Sequence, residues 1–161
     1  MNGADGGAPG IPVYDPVVHA EALVSTKLIG YWTATTLIGL ETLAGGVTDL
    51  AHGRESLVSG RFVLDVITHL GYPPYVLTIL GIWKLLGGIV LFVPGLPRLK
   101  EWAYAGILFE LTGAAASWVL HGDNASELIA PLILTVLAIA SWALRPPSRT
   151  LGVLFSANSF E

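Results

Sequence analysis

The chain has 161 residues, 53% hydrophobic and 12% charged, with a mean hydropathy of +0.66 and a net charge of −4. A soluble domain carries about 25% charged residues, so this composition excludes a water-facing globule and points to one domain of an all-α integral membrane protein. With no cysteine there is no disulfide, thiolate metal site or cysteine nucleophile, and with no long basic run nucleic acid is excluded as a partner.

Residues 1–26 are rich in Gly, Pro and Ala and lack a basic segment ahead of an early apolar core, so they read as a flexible tail and not as a secretory signal. Within them Val17–Val24 can form a short amphipathic helix. The domain proper runs over 27–147. Its first span, Lys27–Asp49, is interrupted by Glu41 and diluted by threonines 33, 35, 36, 42 and 48, whose hydroxyls can bond the carbonyl one turn back.

Residues 50–73 form the longest connection. From Phe62 to Leu70 the pattern predicts a short amphipathic helix at the membrane surface, with Arg61, Asp65 and His69 one turn apart. The second span, Pro74–Val93, is apolar except for Lys84 at its centre, and twenty such residues reach about 30 Å as a helix. The turn Pro94-Gly95-Leu96-Pro97 leads to a third span, Glu101–Leu120, with Glu110 near its middle. A fourth, uncharged after its first residue, covers Glu127–Leu144, and 148–161 reads as a C-terminal tail.

The fold expected is a four-helix membrane bundle with a surface helix between spans one and two. Lys27, Arg98, Lys100, Arg145 and Arg149 fall on the side shared by both termini, against Arg54 and Arg61 on the other. The excess of positive charge is expected to place both termini on the cytoplasmic side of the cell's inner (cytoplasmic) membrane. Trp32, Trp102 and Trp142 then form one aromatic belt and Tyr72, Tyr75 and Trp118 the other.

A lone ammonium at mid-bilayer costs about 2.5–3.5 kcal/mol on insertion scales, so Lys84 needs a partner. Lys84 and Glu110 each stand about ten residues into their spans, at matching depth, and Glu41 lies somewhat past the middle of its own. Small residues accompany each charge: Gly81, Gly87 and Gly88 near Lys84, Gly106, Gly113, Ala114 and Ser117 near Glu110, and Ala44, Gly45 and Thr48 near Glu41. Small faces let helices approach closely in lipid, so the charges are expected to meet inside the bundle.

Two readings of that cluster follow. It is either a salt bridge that fixes helix pairing, or a working pocket in which Lys84, Glu110 and Glu41 do chemistry and Gly81, Gly88, Gly106, Gly113 and Ser117 line a ligand. Two carboxylates to one lysine leave an excess negative charge, which a protonated carboxylate, a bound cation or a donor group would balance. Trp83 points about 100° away from Lys84 and either packs on lipid or a helix, or stacks on a flat ligand. On the outer face fall His52, His69, His121, Asp49, Asp65 and Asp123, but with no tight ligand spacing such as HExxH they read as ordinary interfacial polar residues and no metal site is expected. P-loop, GxSxG and dinucleotide fingerprints are absent.

The runs GYPPY at Gly71–Tyr75, LGIWKLLGGI at Leu80–Ile89, PRLKEWAYAGILFE at Pro97–Glu110, GAAAS at Gly113–Ser117 and LRP at Leu144–Pro146 resemble the DoxX-like family of small membrane proteins. A histidine frequent after the serine of the GAxxS run in such proteins is Trp118 here. The resemblance implies a four-helix membrane bundle and association with quinone-linked redox complexes. A quinone is then the expected ligand and a partner membrane protein or a second copy the expected neighbour, with lipid around both. Two alternatives stand beside this. One is a small intramembrane isomerase or cyclase acting on a lipophilic substrate, with Glu110 and Glu41 as acid and base. The other is a structural or assembly subunit.

Overall fold

The computed structural model describes residues 16–51 and 63–150, whose regular elements are all helices, with no strand among them. Helix α1 spans Pro16–Leu50, α2 Val63–His69, α3 Tyr75–Phe92, α4 Pro97–His121 and α5 Ile129–Ala143. Short 3-10 turns at Ala125–Leu128 and Pro147–Arg149 flank α5. Three segments are long and apolar enough to cross a membrane: Tyr75–Phe92, Pro97–His121 and Ala125–Ala143. They make this a membrane protein in contact with lipid.

Helix α1 is the longest; threonines and Glu41 dilute its apolar run, and it is not among those three segments. It runs unbroken through residues 26 and 27, where the sequence suggests a change from tail to span. Residues 1–15, 52–62 and 151–161, with His52, Arg54 and Arg61, lie outside the described residues.

Helix α1 packs on α3 and α5, and α4 packs on the same two. Among them Ile38 of α1, Leu91 of α3, Tyr104, Ile107 and Leu111 of α4, and Ala138 of α5 form one buried apolar cluster. Two serine/threonine hydroxyls join it: Thr35 Oγ1 and Ser141 Oγ are 2.6 Å apart, and Tyr104 Oη is 2.7 Å from Ser141 Oγ. Two further hydroxyls of α1 behave as the pattern predicts, Thr42 donating to Ile38 O and Thr48 to Ala44 O one turn back.

The tightest contact is the antiparallel seam of α1 and α3, where glycines on one helix receive large side chains from the other. Phe92 fills the space over Gly39, Leu43 that over Gly88, Leu85 that over Gly46, and Leu50 that over Gly81. The contact positions on α1 (39, 43, 46, 50) follow the three-and-four spacing of a heptad seam. At Gly81 an added Cβ would lie 2.8 Å from Leu50 Cγ, 2.9 Å from Gly46 O and 3.0 Å from Leu50 N. Two of those atoms are backbone and cannot swing aside, so Gly81→Ala must push the helices apart. It is expected to destabilise the protein by about 1–3 kcal/mol. Gly106→Ala, at a site with no neighbour within 4 Å, should be neutral or slightly stabilising. Unfolding of the two variants in detergent micelles checks the contrast.

The turn between α3 and α4 places Gly95 at φ 72° and Leu96 at φ 55°. Pro97, which opens α4, disfavours the right-handed helical region for the residue before it, and the chain reverses through the left-handed region instead.

Candidate functional site

Helix α1 ends at Leu50, packed against Gly81, six residues (about 9 Å) into α3. The end of α1 therefore lies well inside the length of α3, and this brings Asp49 to the level of Lys84. Lys84 Nζ is 2.8 Å from Asp49 Oδ2 and 2.8 Å from Glu110 Oε1. One ammonium thus joins three helices, α1, α3 and α4. Asp49 is almost wholly buried, its side chain 3% exposed, while Lys84 and Glu110 keep part of their surface open. Gly45 lies against the lysine: a Cβ there would stand in ordinary contact, 3.4 Å from Nζ and 3.6 Å from Cδ.

These groups face a cavity of about 1180 Å³, lined by all five helices. Glu41, Asp49, Lys84 and Glu110 are its charged residues deep in the bundle, with Thr48, Gly113, Ala114 and Ser117 beside them. Tyr72 and Ser117 bond across the wall at 2.8 Å, and Ser117 donates in turn to Gly113 O. Val66, Ile67 and Leu70 close one part of the cavity with the half-buried face of α2, whose Asp65, Thr68 and His69 point away to the exposed side. Leu40, Phe109 and Ile133 also line it and are exposed on the outer surface, so the apolar wall is continuous with the surface that meets lipid.

Among the residues singled out from the sequence, Lys84 and Glu110 meet, and Glu41 lines the same cavity without an ion pair to Lys84 among the described residues. Gly113 and Ser117 line it too. Gly81 and Gly88 are buried in the α1–α3 seam, Gly106 faces open space, and Trp83 is 68% exposed on the outer surface. Sequence reasoning missed Asp49. It stands at the end of its span and was assigned to the outer face, and only the depth of α1 against Gly81 reveals its partner.

Residues 33–141 match the DoxX-like family. The chain belongs to the DoxX-like family. The matched segment begins in α1 and ends in α5, and holds the four packed helices and every charged residue deep in the cavity. Comparisons with curated proteins and with solved structures give no match. The protein is thus a membrane protein of the DoxX-like family, and its site must be read from its own geometry.

Two further polar clusters sit at opposite ends of this DoxX-like chain. At the α3–α4 turn Lys100 is fully buried, although the sequence counts it with the interfacial positive charges. Its ammonium donates to Val90 O, to Leu91 O at 3.1 Å and to Val93 O at 2.5 Å, and so caps the carbonyl end of α3. Arg149 donates to Leu91 O and lies 4.6 Å from the centre of the Trp32 ring. Arg145 pairs with Glu101 at 2.7 Å and lies over Tyr104, while Trp142 Nε1 donates to the other Glu101 oxygen.

At the other end Asp123 accepts hydrogen bonds from His69 and His121. The bond from His69 is the first cause that holds its carboxyl below the ordinary aspartate range.

Proposed function

We propose that this protein is a quinone-binding module of the cytoplasmic membrane, a subunit of a redox-associated complex and not a complete oxidoreductase. In this reading α1 makes a fourth crossing beside α3, and both termini lie on the cytoplasmic side, where Lys27, Arg98, Arg145 and Arg149 gather. The observation that carries the reading is a large apolar cavity with a tethered ammonium deep inside it.

An ammonium has three N–H donors. Asp49 and Glu110 hold it as ion pairs at 2.8 Å, and it has a donor to offer an acceptor in the cavity, such as a quinone carbonyl. The carboxylates hold Lys84 in place, so little side-chain entropy is lost when the ligand arrives. The charge arithmetic also favours a proton-linked role. Lys84 faces three carboxylates, Asp49, Glu110 and Glu41, and a quinol that releases its protons as it passes its electrons to the partner redox subunit has acceptors within the same chamber. The exposed apolar rim of Leu40, Phe109 and Ile133 suits entry from the bilayer.

Titration of the purified protein with a short-chain quinone, followed by tryptophan fluorescence, tests this. Trp118 lines the cavity, so the expected result is saturable quenching that is largely lost in Trp118→Phe. Affinity should fall about tenfold or more in Lys84→Met/Glu110→Gln, as for loss of one charge-assisted hydrogen bond. Unchanged affinity in a folded double variant would leave the cluster as a packing device alone.

A further inference from the structure

Two helix ends meet outside the cavity. Helix α2 ends at His69, and the chain turns through Gly71 at φ 83°, with Gly71 N donating to Thr68 O and Tyr72 N to Ile67 O. Helix α4 ends at His121, and the chain turns through Gly122 at φ 84°, with Gly122 N donating to Val119 O and Asp123 N to Trp118 O. Both ends are therefore pinned by backbone bonds of the Schellman kind, and what they present is fixed in position.

They present two imidazoles to one carboxylate. His69 Nε2 is 3.0 Å from Asp123 Oδ1, His121 Nδ1 is 2.9 Å from Asp123 Oδ2, and the ring centres are 4.4 Å apart. The three ligand atoms lie within 4.8 Å of one another. A zinc ion held by imidazole nitrogen and carboxylate oxygen at about 2.0–2.2 Å in a tetrahedron keeps its ligands roughly 3.3 Å apart. The cluster is close to that spacing before any ion arrives.

We infer that His69, His121 and Asp123 bind one divalent transition-metal ion of the zinc class, with water completing the shell. Two nitrogens and one oxygen are the donor set such ions prefer, and half-exposed imidazoles leave an open position for solvent. The negative end of the α4 dipole adds a favourable field for a cation. On binding, each neutral ring offers the ion the nitrogen that faces Asp123 and carries its one hydrogen on the other ring nitrogen. The site ties the end of α2 to the end of α4, and through Val66, Ile67 and Leu70 it holds α2 over the cavity.

The test uses the untagged full chain in detergent, titrated with Zn²⁺ by calorimetry and with Co²⁺ by visible absorption. The expected result is one ion per chain, with visible bands from a site of low coordination number. His69→Ala, His121→Ala and Asp123→Asn should each weaken binding by more than the roughly 10–100-fold that loss of an outer-shell partner causes. A His19→Ala/His52→Ala variant should bind as the native chain does. The inference is overturned if the native protein shows no saturable binding, or if the three single variants, checked for helix content, bind as well as it does.

Discussion

Replacing Lys100 with methionine is expected to destabilise this protein by about 3 kcal/mol, while Arg98→Met, two residues earlier on an exposed position, should stay within about 0.5 kcal/mol. The last four carbonyls of any helix lack partners within it. In α3, which ends at Phe92, these belong to the region around Val90–Val93, and the Lys100 ammonium serves three of them. A hydrogen bond to a charged donor contributes about 1.5–3 kcal/mol, and an orphaned buried acceptor costs about 1–3 kcal/mol. Arg149 still donates to Leu91 O in the variant, and removing Lys100 relieves its repulsion with Arg145 and Arg149. The net loss is therefore well below the sum over three bonds. Both substitutions remove one positive charge, so reversible unfolding in micelles separates capping of α3 from a general effect of charge.

The course of the helices was legible because hydropathy and turn chemistry agree along the chain. The lysine segment, expected over Pro74–Val93, is α3 at Tyr75–Phe92, and the short amphipathic element expected over Phe62–Leu70 is α2 at Val63–His69. Matching depth on separate spans points to Glu110 or Glu41 as the partner of Lys84, and the ammonium pairs with Glu110.

What stayed hidden depends on relative depth and on chain reversal. Asp49 lies at the end of its helix, a position that reads as interfacial unless one knows that Leu50 packs against Gly81. Lys100 follows a proline-rich turn, where a basic residue reads as an interfacial charge, but the turn folds it back onto the carbonyls of the helix just completed. The spacing His121-x-Asp123 is visible in the sequence, whereas His69 joins it only through the packing of α2 on the end of α4.

The account rests on one contact, the ammonium of Lys84 held by carboxylates from other helices, and a double-mutant cycle over Lys84 and Glu110 measures it. Removing one member of a buried pair costs about 3–5 kcal/mol, because the charge left behind has lost its counterion. Lys84→Met should fall at the lower end of that range, since cavity access lets solvent reach part of the cluster, and it leaves Asp49 and Glu110 facing each other unneutralised. Glu110→Gln should cost less, because Asp49 still holds the lysine.

Combined as Lys84→Met/Glu110→Gln, the two should destabilise by less than the sum of the single effects. The expected coupling energy is about 1–3 kcal/mol, the upper part of the range for residues in direct contact. Purely additive losses, within about 0.5 kcal/mol, would mean that Lys84 and Glu110 do not touch, and would contradict both the cluster and the ligand chemistry built on it.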